Sequence, residues 1–284
     1  MSIIEQALPR WEKMEPENFR KLPGSRSSAR SPGRLQPARE IHLDLERLSA
    51  RGLLTAISRD IHMLEQYRLI KQPLLRKITG NEQHAFGHGE VAENDTKLIL
   101  VTSALPDEGK TFTAINLAMS MAMERDHPIV LLDADLEKRD VSTMFGVASE
   151  VGLTEFLVDS SMPLAQVLFR TNVENLSFLP AGTVQGQHAE LISSKRMRQL
   201  LSDLCREYGA VVVDSPPLLF SSSATVMANL AGQVVIVVEV EKTPQRVVQE
   251  AVQLIGGPSR DIGFVLNKDG PSARARHRYS RYQR

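Results

Sequence analysis

Leu98-Ile-Leu-Val-Thr-Ser-Ala-Leu-Pro-Asp-Glu-Gly-Lys-Thr-Phe112 passes from a continuous apolar run into a polar loop, and the residues after it have helical character. Leu98–Thr102 reads as a buried strand, and a helix is expected from near Gly109 through Ala122. The segment between them, Ala104 to Thr111, fits the phosphate-loop pattern G-x4-G-K-[ST], with Ala104 in place of the leading glycine. Alanine is tolerated there only if its φ is negative. Gly109 lets the backbone approach an anion. The amides of Pro106–Gly109 and of the helix start at Lys110, Thr111 and Phe112 surround the phosphates, except that Pro106 has no N–H to give. In this pattern Lys110 pairs with the β- and γ-phosphates, and the Thr111 hydroxyl ligates Mg²⁺.

Outward from this loop the chain alternates strands and helices. Pro128–Leu132, Leu176–Leu179, Ala210–Val213, Val234–Val240 and Ile262–Leu266 are further apolar runs of strand length. Uninterrupted apolar strands with helical crossovers imply a mostly parallel central sheet covered by helices on both faces, an α/β fold of the P-loop NTPase class. Ligands of such sheets bind beyond the carboxyl ends of the strands. Asp133 and Asp135 close one strand and Asp214 closes another, so three carboxylates are expected beside the phosphate loop. With ATP and Mg²⁺ as ligands, Thr111, Asp133 and Asp214 are the expected metal-holding groups. Asp135 is a candidate base for a hydroxyl nucleophile, although Asp133 could exchange roles with it.

Upstream, residues 1–21 carry a short amphipathic helix signal (Ile3, Ile4, Ala7, Leu8, Trp11), and 22–40 form a Ser/Pro/Gly/Arg-rich linker too poor in apolar groups to order itself. Residues 41–91 read as helical, with a short helix, a turn at Gly52, and a longer helix from about Arg59 to Lys71 that stops before Pro73. The nucleotide domain is expected over 92–270, followed by a flexible basic tail, 271–284. From residue 260 onward seven Lys/Arg face only Asp261 and Asp269, yet the whole chain has 34 basic and 34 acidic residues. No global field recruits nucleic acid. The single cysteine, Cys205, sits in an amphipathic helix pattern and reads as a packed thiol. No run reaches the roughly 18 apolar residues of a membrane span, so a cytoplasmic protein is expected, reaching the inner membrane peripherally through a partner.

These motifs resemble the bacterial tyrosine kinase (BY-kinase) family, and more narrowly its stand-alone autokinases of exopolysaccharide (exosortase-associated) loci. The likeness is carried by Val101–Ala118, Val130–Leu136, Gly152–Leu157, Leu179–Gly182, Glu190–Ser194, Val213–Pro217 and Val265–Asn267, with Leu43–Leu48 and Glu65–Leu75 upstream. The resemblance implies an ATP- and Mg²⁺-dependent protein tyrosine autokinase, with Lys110, Asp133, Asp135 and Asp214 as catalytic groups and Asn267 reading adenine. It also implies a ring-like homo-oligomer contacted through Glu65, Arg68 and Lys71, whose spacing reads as one charged helical stripe. Expected partners are an integral-membrane polysaccharide chain-length or co-polymerase protein and a cognate tyrosine phosphatase.

Tyrosine usage adds a separate hint. Two of the four tyrosines, Tyr279 and Tyr282, fall among the last six residues, where an exposed phenol on a basic arm could reach a neighbouring copy's γ-phosphate in trans. The rival readings are a ParA/MinD-like ATPase and an ATP-gated, non-catalytic scaffold. The first usually carries a lysine where this chain has Leu105, and the second has no need of the tail tyrosines.

Overall fold

A computed structural model of the chain describes residues 37–58, 60–80, 95–124, 127–183, 186, 188–257 and 261–269. The expected helix within 1–21, residues 22–36 of the linker, and the tail bearing Tyr279 and Tyr282 lie outside them. Eight strands form one sheet: β1 (Arg39–Ile41), β2 (Leu98–Ser103), β3 (Ile129–Asp133), β4 (Phe169–Thr171), β5 (Leu176–Leu179), β6 (Ala210–Asp214), β7 (Gln233–Glu239) and β8 (Ile262–Asn267). Their order is β1-β4-β5-β3-β6-β2-β7-β8. Every neighbouring pair is parallel except β4 and β5.

Side chains of the central strands alternate between two cores, as the pleat requires. Leu98, Leu100, Val130, Leu132, Val211, Val213, Val234 and Ile236 enter one core. Ile99, Val101, Ile129, Leu131, Ala210, Val212, Val235 and Val237 enter the other. Both faces are apolar because both are covered, which explains why these strands read as unbroken runs. Truncating a fully buried residue such as Leu100 to alanine would cost about 2–5 kcal/mol.

On the second face lie α1 (Leu45–Ala50), α2 (Ile61–Ile78), α3 (Lys110–Ala122) and α4 (Asp140–Met144). On the first lie α5 (Leu153–Val158), α6 (Leu164–Val167), α7 (His188–Ser193), α8 (Lys195–Glu207), α9 (Ser222–Leu230) and α10 (Gln245–Leu254). Cys205 is buried in α8 beside Leu201 and Leu204, the packed thiol expected from its pattern.

Several boundaries differ from the sequence expectation. Arg39 and Glu40, assigned to the linker, belong to β1, which pairs with β4. Arg39 ion-pairs with Glu150 at 2.5 Å and stacks over Phe169 at 4.5 Å, so long-range partners impose order on a locally featureless stretch. Helix α2 does not stop before Pro73 but continues five residues past it to Ile78. Proline removes one i→i−4 donor, and the carbonyl so orphaned belongs to Leu69, on the exposed side of the helix, where water can satisfy it. The stretch containing α1 and α2 shares a core with the nucleotide-loop helix: Leu48, Leu54, Tyr67 and Leu74 pack in one cluster with Ile115 and Met119 of α3.

Candidate functional site

Strand β6 lies between β2 and β3, so the chain must cross it in passing from β2 through α3 to β3. This is the kind of sheet position where open α/β folds bind ligands. Register sets the acids in place. Asp133 at the end of β3 is paired directly with Asp214 at the end of β6, and Asp214 is paired with Val101 of β2.

The loop after β2 turns left-handed at Asp107 (φ 63°) and at Gly109 (φ 96°). Ala104 is absent from the positive-φ residues and is fully buried in the core, so alanine satisfies the condition set for it. At Gly109 the sign of φ is only part of the constraint, because a Cβ there would lie 2.0 Å from the Asn267 side-chain nitrogen. Helix α3 then begins without a side-chain cap, which leaves its amino end available to an anion.

Four of the five expected side chains form a connected buried chain. The Lys110 ammonium donates to Asp135 Oδ2 at 2.8 Å and lies 3.4 Å from the Thr111 hydroxyl, which donates to Asp214 Oδ2 at 2.8 Å. Asp133 is adjacent to Asp214 by register, but its Oδ2 is taken by the N–H and O–H of Ser142, at 2.9 and 2.7 Å. Asp135 also accepts from the Lys138 N–H. The second oxygens of Asp133 and Asp214 are buried without a protein hydrogen-bond partner. Two orphaned carboxylate oxygens beside a threonine hydroxyl are the hard-oxygen donor set that Mg²⁺ takes, so these residues fit the expected metal.

Burial dominates the electrostatics. It pushes Asp214 up to about 8 against the opposing pull of Lys110 and Thr111. It also pushes Asp133 up to about 6 in spite of the Ser142 hydrogen bonds. Burial alone would lower Lys110, but Asp214 and Asp135 together outweigh it and the ammonium is held above its ordinary value.

Asn267, expected to read adenine, is found against the loop, its side-chain nitrogen donating to the Glu108 carbonyl at 2.8 Å. Lys71 departs from the expected interface. It is buried, donating to the Ser120 carbonyl at 2.6 Å and pairing with Glu124 at 2.8 Å, whereas Glu65 and Arg68 form an exposed pair at 3.5 Å. At 3.6 residues per turn, position i+6 stands about 120° around the helix from i, so the three charges do not share a stripe. Sequence reading missed Ser142, whose hydroxyl also accepts the Ala181 N–H at 3.0 Å. No local pattern marks it. It also missed the inward role of the Glu108 side chain.

Residues 96–257 match the AAA domain family AAA_31. Tyrosine-protein kinase YwqD of Bacillus subtilis (strain 168) is 34% identical over 176 residues, 62% of this chain and 73% of that protein. The succinoglycan biosynthesis transport protein ExoP of Rhizobium meliloti (strain 1021) is 34% identical over 212 residues, which span 68% of this chain but only 26% of ExoP. Among solved structures, the VpsO kinase domain superposes with a TM-score of 0.60 at 28% identity, covering 75% of this chain and 98% of that one.

Proposed function

The chain belongs to the AAA_31 family and, within it, to the bacterial tyrosine kinases, and from that premise we propose that it is an ATP- and Mg²⁺-dependent tyrosine autokinase serving exopolysaccharide synthesis. The observation that carries the reading is the buried chain Asp135–Lys110–Thr111–Asp214 at the carboxyl ends of three adjacent strands. An ammonium, a hydroxyl and carboxylates at the amino end of an uncapped helix form a set suited to a metal-bound triphosphate. The kinship with YwqD and ExoP supports phosphotransfer to tyrosine and a link to polysaccharide export.

In this reading Thr111, Asp214 and Asp133 hold Mg²⁺, which neutralises charge on the β- and γ-phosphates when bound. Lys110 leaves Asp135 to pair with the phosphates, which frees that carboxylate. The phenol oxygen of Tyr279 or Tyr282 from another copy forms the new bond to the γ-phosphorus. The β–γ bridging oxygen departs with its electron pair on ADP, and the phenolic proton passes to Asp135, or to Asp133 where the two exchange roles and Asp135 serves the metal. Asn267 reads the adenine ring. Rings of this chain, an integral-membrane co-polymerase partner and a tyrosine phosphatase complete the scheme, and no helix of the described residues is long and apolar enough to cross a membrane itself. Phosphates added to the tail loosen the ring by repulsion.

The test is incubation with γ-labelled ATP and Mg²⁺, with and without the co-polymerase. Label should appear on tyrosine, fall away in the Tyr279→Phe/Tyr282→Phe double variant, and vanish in Lys110→Met. Label surviving Lys110→Met in folded protein would refute the mechanism, and label retained by the double tyrosine variant would remove the tail assignment.

A further inference from the structure

A carboxylate inside a phosphate loop is an electrostatic liability unless something turns it away and satisfies it. Glu108 stands one residue before Gly109 and is 1% exposed. Its carboxylate accepts from three neutral donors on separate parts of the chain: the Leu105 N–H at 2.6 Å, the Glu239 N–H at 3.3 Å, and the Thr243 hydroxyl. The first closes the loop on itself. The other two belong to the end of β7 and to the turn that leads into α10. Its main chain is held as well, since the Asn267 side chain donates to the Glu108 carbonyl from the end of β8. One residue earlier, Lys268 donates to the Asp107 carbonyl at 2.6 Å. Meanwhile Lys110 is engaged with Asp135 and Thr111. The loop is thus fastened on one side by β7 and β8, while its lysine and threonine serve the acids on the other.

We infer that Glu108 is a positioning residue: its buried carboxylate, clamped by Thr243 and the Glu239 amide, holds the phosphate loop in the shape that receives the β-phosphate. Thr243 is the remote half of this device. The inference rests on the nucleotide-binding reading above. A buried carboxylate hydrogen-bonded by N–H and O–H groups is worth more than a neutral contact, and losing it frees the loop to adopt other turns.

The experiment is calorimetric titration of the full-length protein with Mg·ADP and, separately, with AMP, which lacks the β-phosphate. Wild type must bind ADP; failure here removes the nucleotide reading and this inference with it. Given wild-type binding, Glu108→Ala should weaken ADP by about tenfold or more and AMP by less than about twofold, the fold-change expected for a charge-assisted bond. Thr243→Val, an isosteric change outside the loop, should weaken ADP by about threefold with AMP again unmoved. Parallel losses of ADP and AMP, or wild-type ADP affinity in folded variants, would overturn the assignment. If Glu108→Ala does not fold, Thr243→Val decides alone by the same criteria.

Discussion

The Thr111 hydroxyl donates to Asp214 across 2.8 Å, joining the first turn of α3 to the end of β6 inside the protein. Both partners are buried, and Asp214 has a second oxygen with no protein partner. A carboxyl so placed resists ionisation until a cation arrives, and this governs how the protein should respond to pH.

Asp214 and Asp133 have folded values raised by burial to about 8 and about 6. Above about pH 4 an unfolded chain has released both protons while the folded chain keeps them, so the folded state binds more protons and its stability falls as pH rises. The loss should run from about pH 4 up through those folded values, at no more than about 1.4 kcal/mol per pH unit for each group. Urea denaturation of metal-free protein at pH 5 and pH 8 should therefore show the higher midpoint at pH 5. Asp214→Asn should flatten the trend, and so should Mg·ADP, because a bound cation favours the ionised carboxylates. Equal or rising stability toward pH 8 without metal would contradict this account.

Lys110 and Asp135 form an ion pair whose side chains are 5% and 2% exposed. Removing one member of such a pair leaves an uncompensated buried charge, at a cost of about 3–5 kcal/mol. Lys110→Met should lower the unfolding midpoint accordingly, and adding Asp135→Asn should restore part of the loss. Additive destabilisation by the two changes would show that the pair is not coupled.

Lys71 bolts α2 to the carboxyl end of α3, where its charge meets the Ser120 carbonyl and Glu124. Lys71→Met should therefore destabilise the isolated protomer by about 1–3 kcal/mol, whereas the exposed pair Glu65–Arg68 contributes less than about 1 kcal/mol. Replacing Glu65 and Arg68 with alanine should leave chemical denaturation unchanged and act on assembly alone, as read by light scattering. If Lys71→Met alters assembly while leaving protomer stability intact, the bolt assignment is wrong.

Ser142 satisfies Asp133 twice and receives the Ala181 amide. Ser142→Ala keeps the backbone donor but strips the hydroxyl, leaving a buried N–H and a carboxylate oxygen underserved. A loss of about 1–3 kcal/mol is expected in urea denaturation, together with a weaker dependence of ADP affinity on Mg²⁺. Unchanged values in both measurements would remove Ser142 from the site.

Much of this architecture is legible in the chain read alone, because the signals are local. The apolar runs of β2, β3, β6 and β7, the glycine and lysine at 109 and 110, and the acids that end β3 and β6 are patterns among near neighbours in sequence. The same locality explains the errors. Strand β1 has three residues, and its order comes from β4, Glu150 and Phe169. Pro73 is a genuine helix-breaking signal, overridden because the orphaned carbonyl belongs to the exposed residue Leu69 and one face of α2, through Tyr67 and Leu74, is packed in the core.

What the amino-acid sequence determined by itself is the kind of site: a phosphate loop between strand and helix, with carboxylates at the ends of neighbouring apolar strands. Tertiary structure alone decided which groups meet. Glu108 finds Thr243 and Asn267 from 135 and 159 residues away, Lys71 turns inward to Ser120, and Ser142 takes hold of Asp133. The physical reason is that short-range periodicity dictates which face a residue occupies on its own element, whereas its partner depends on strand order and helix packing, which no single segment encodes.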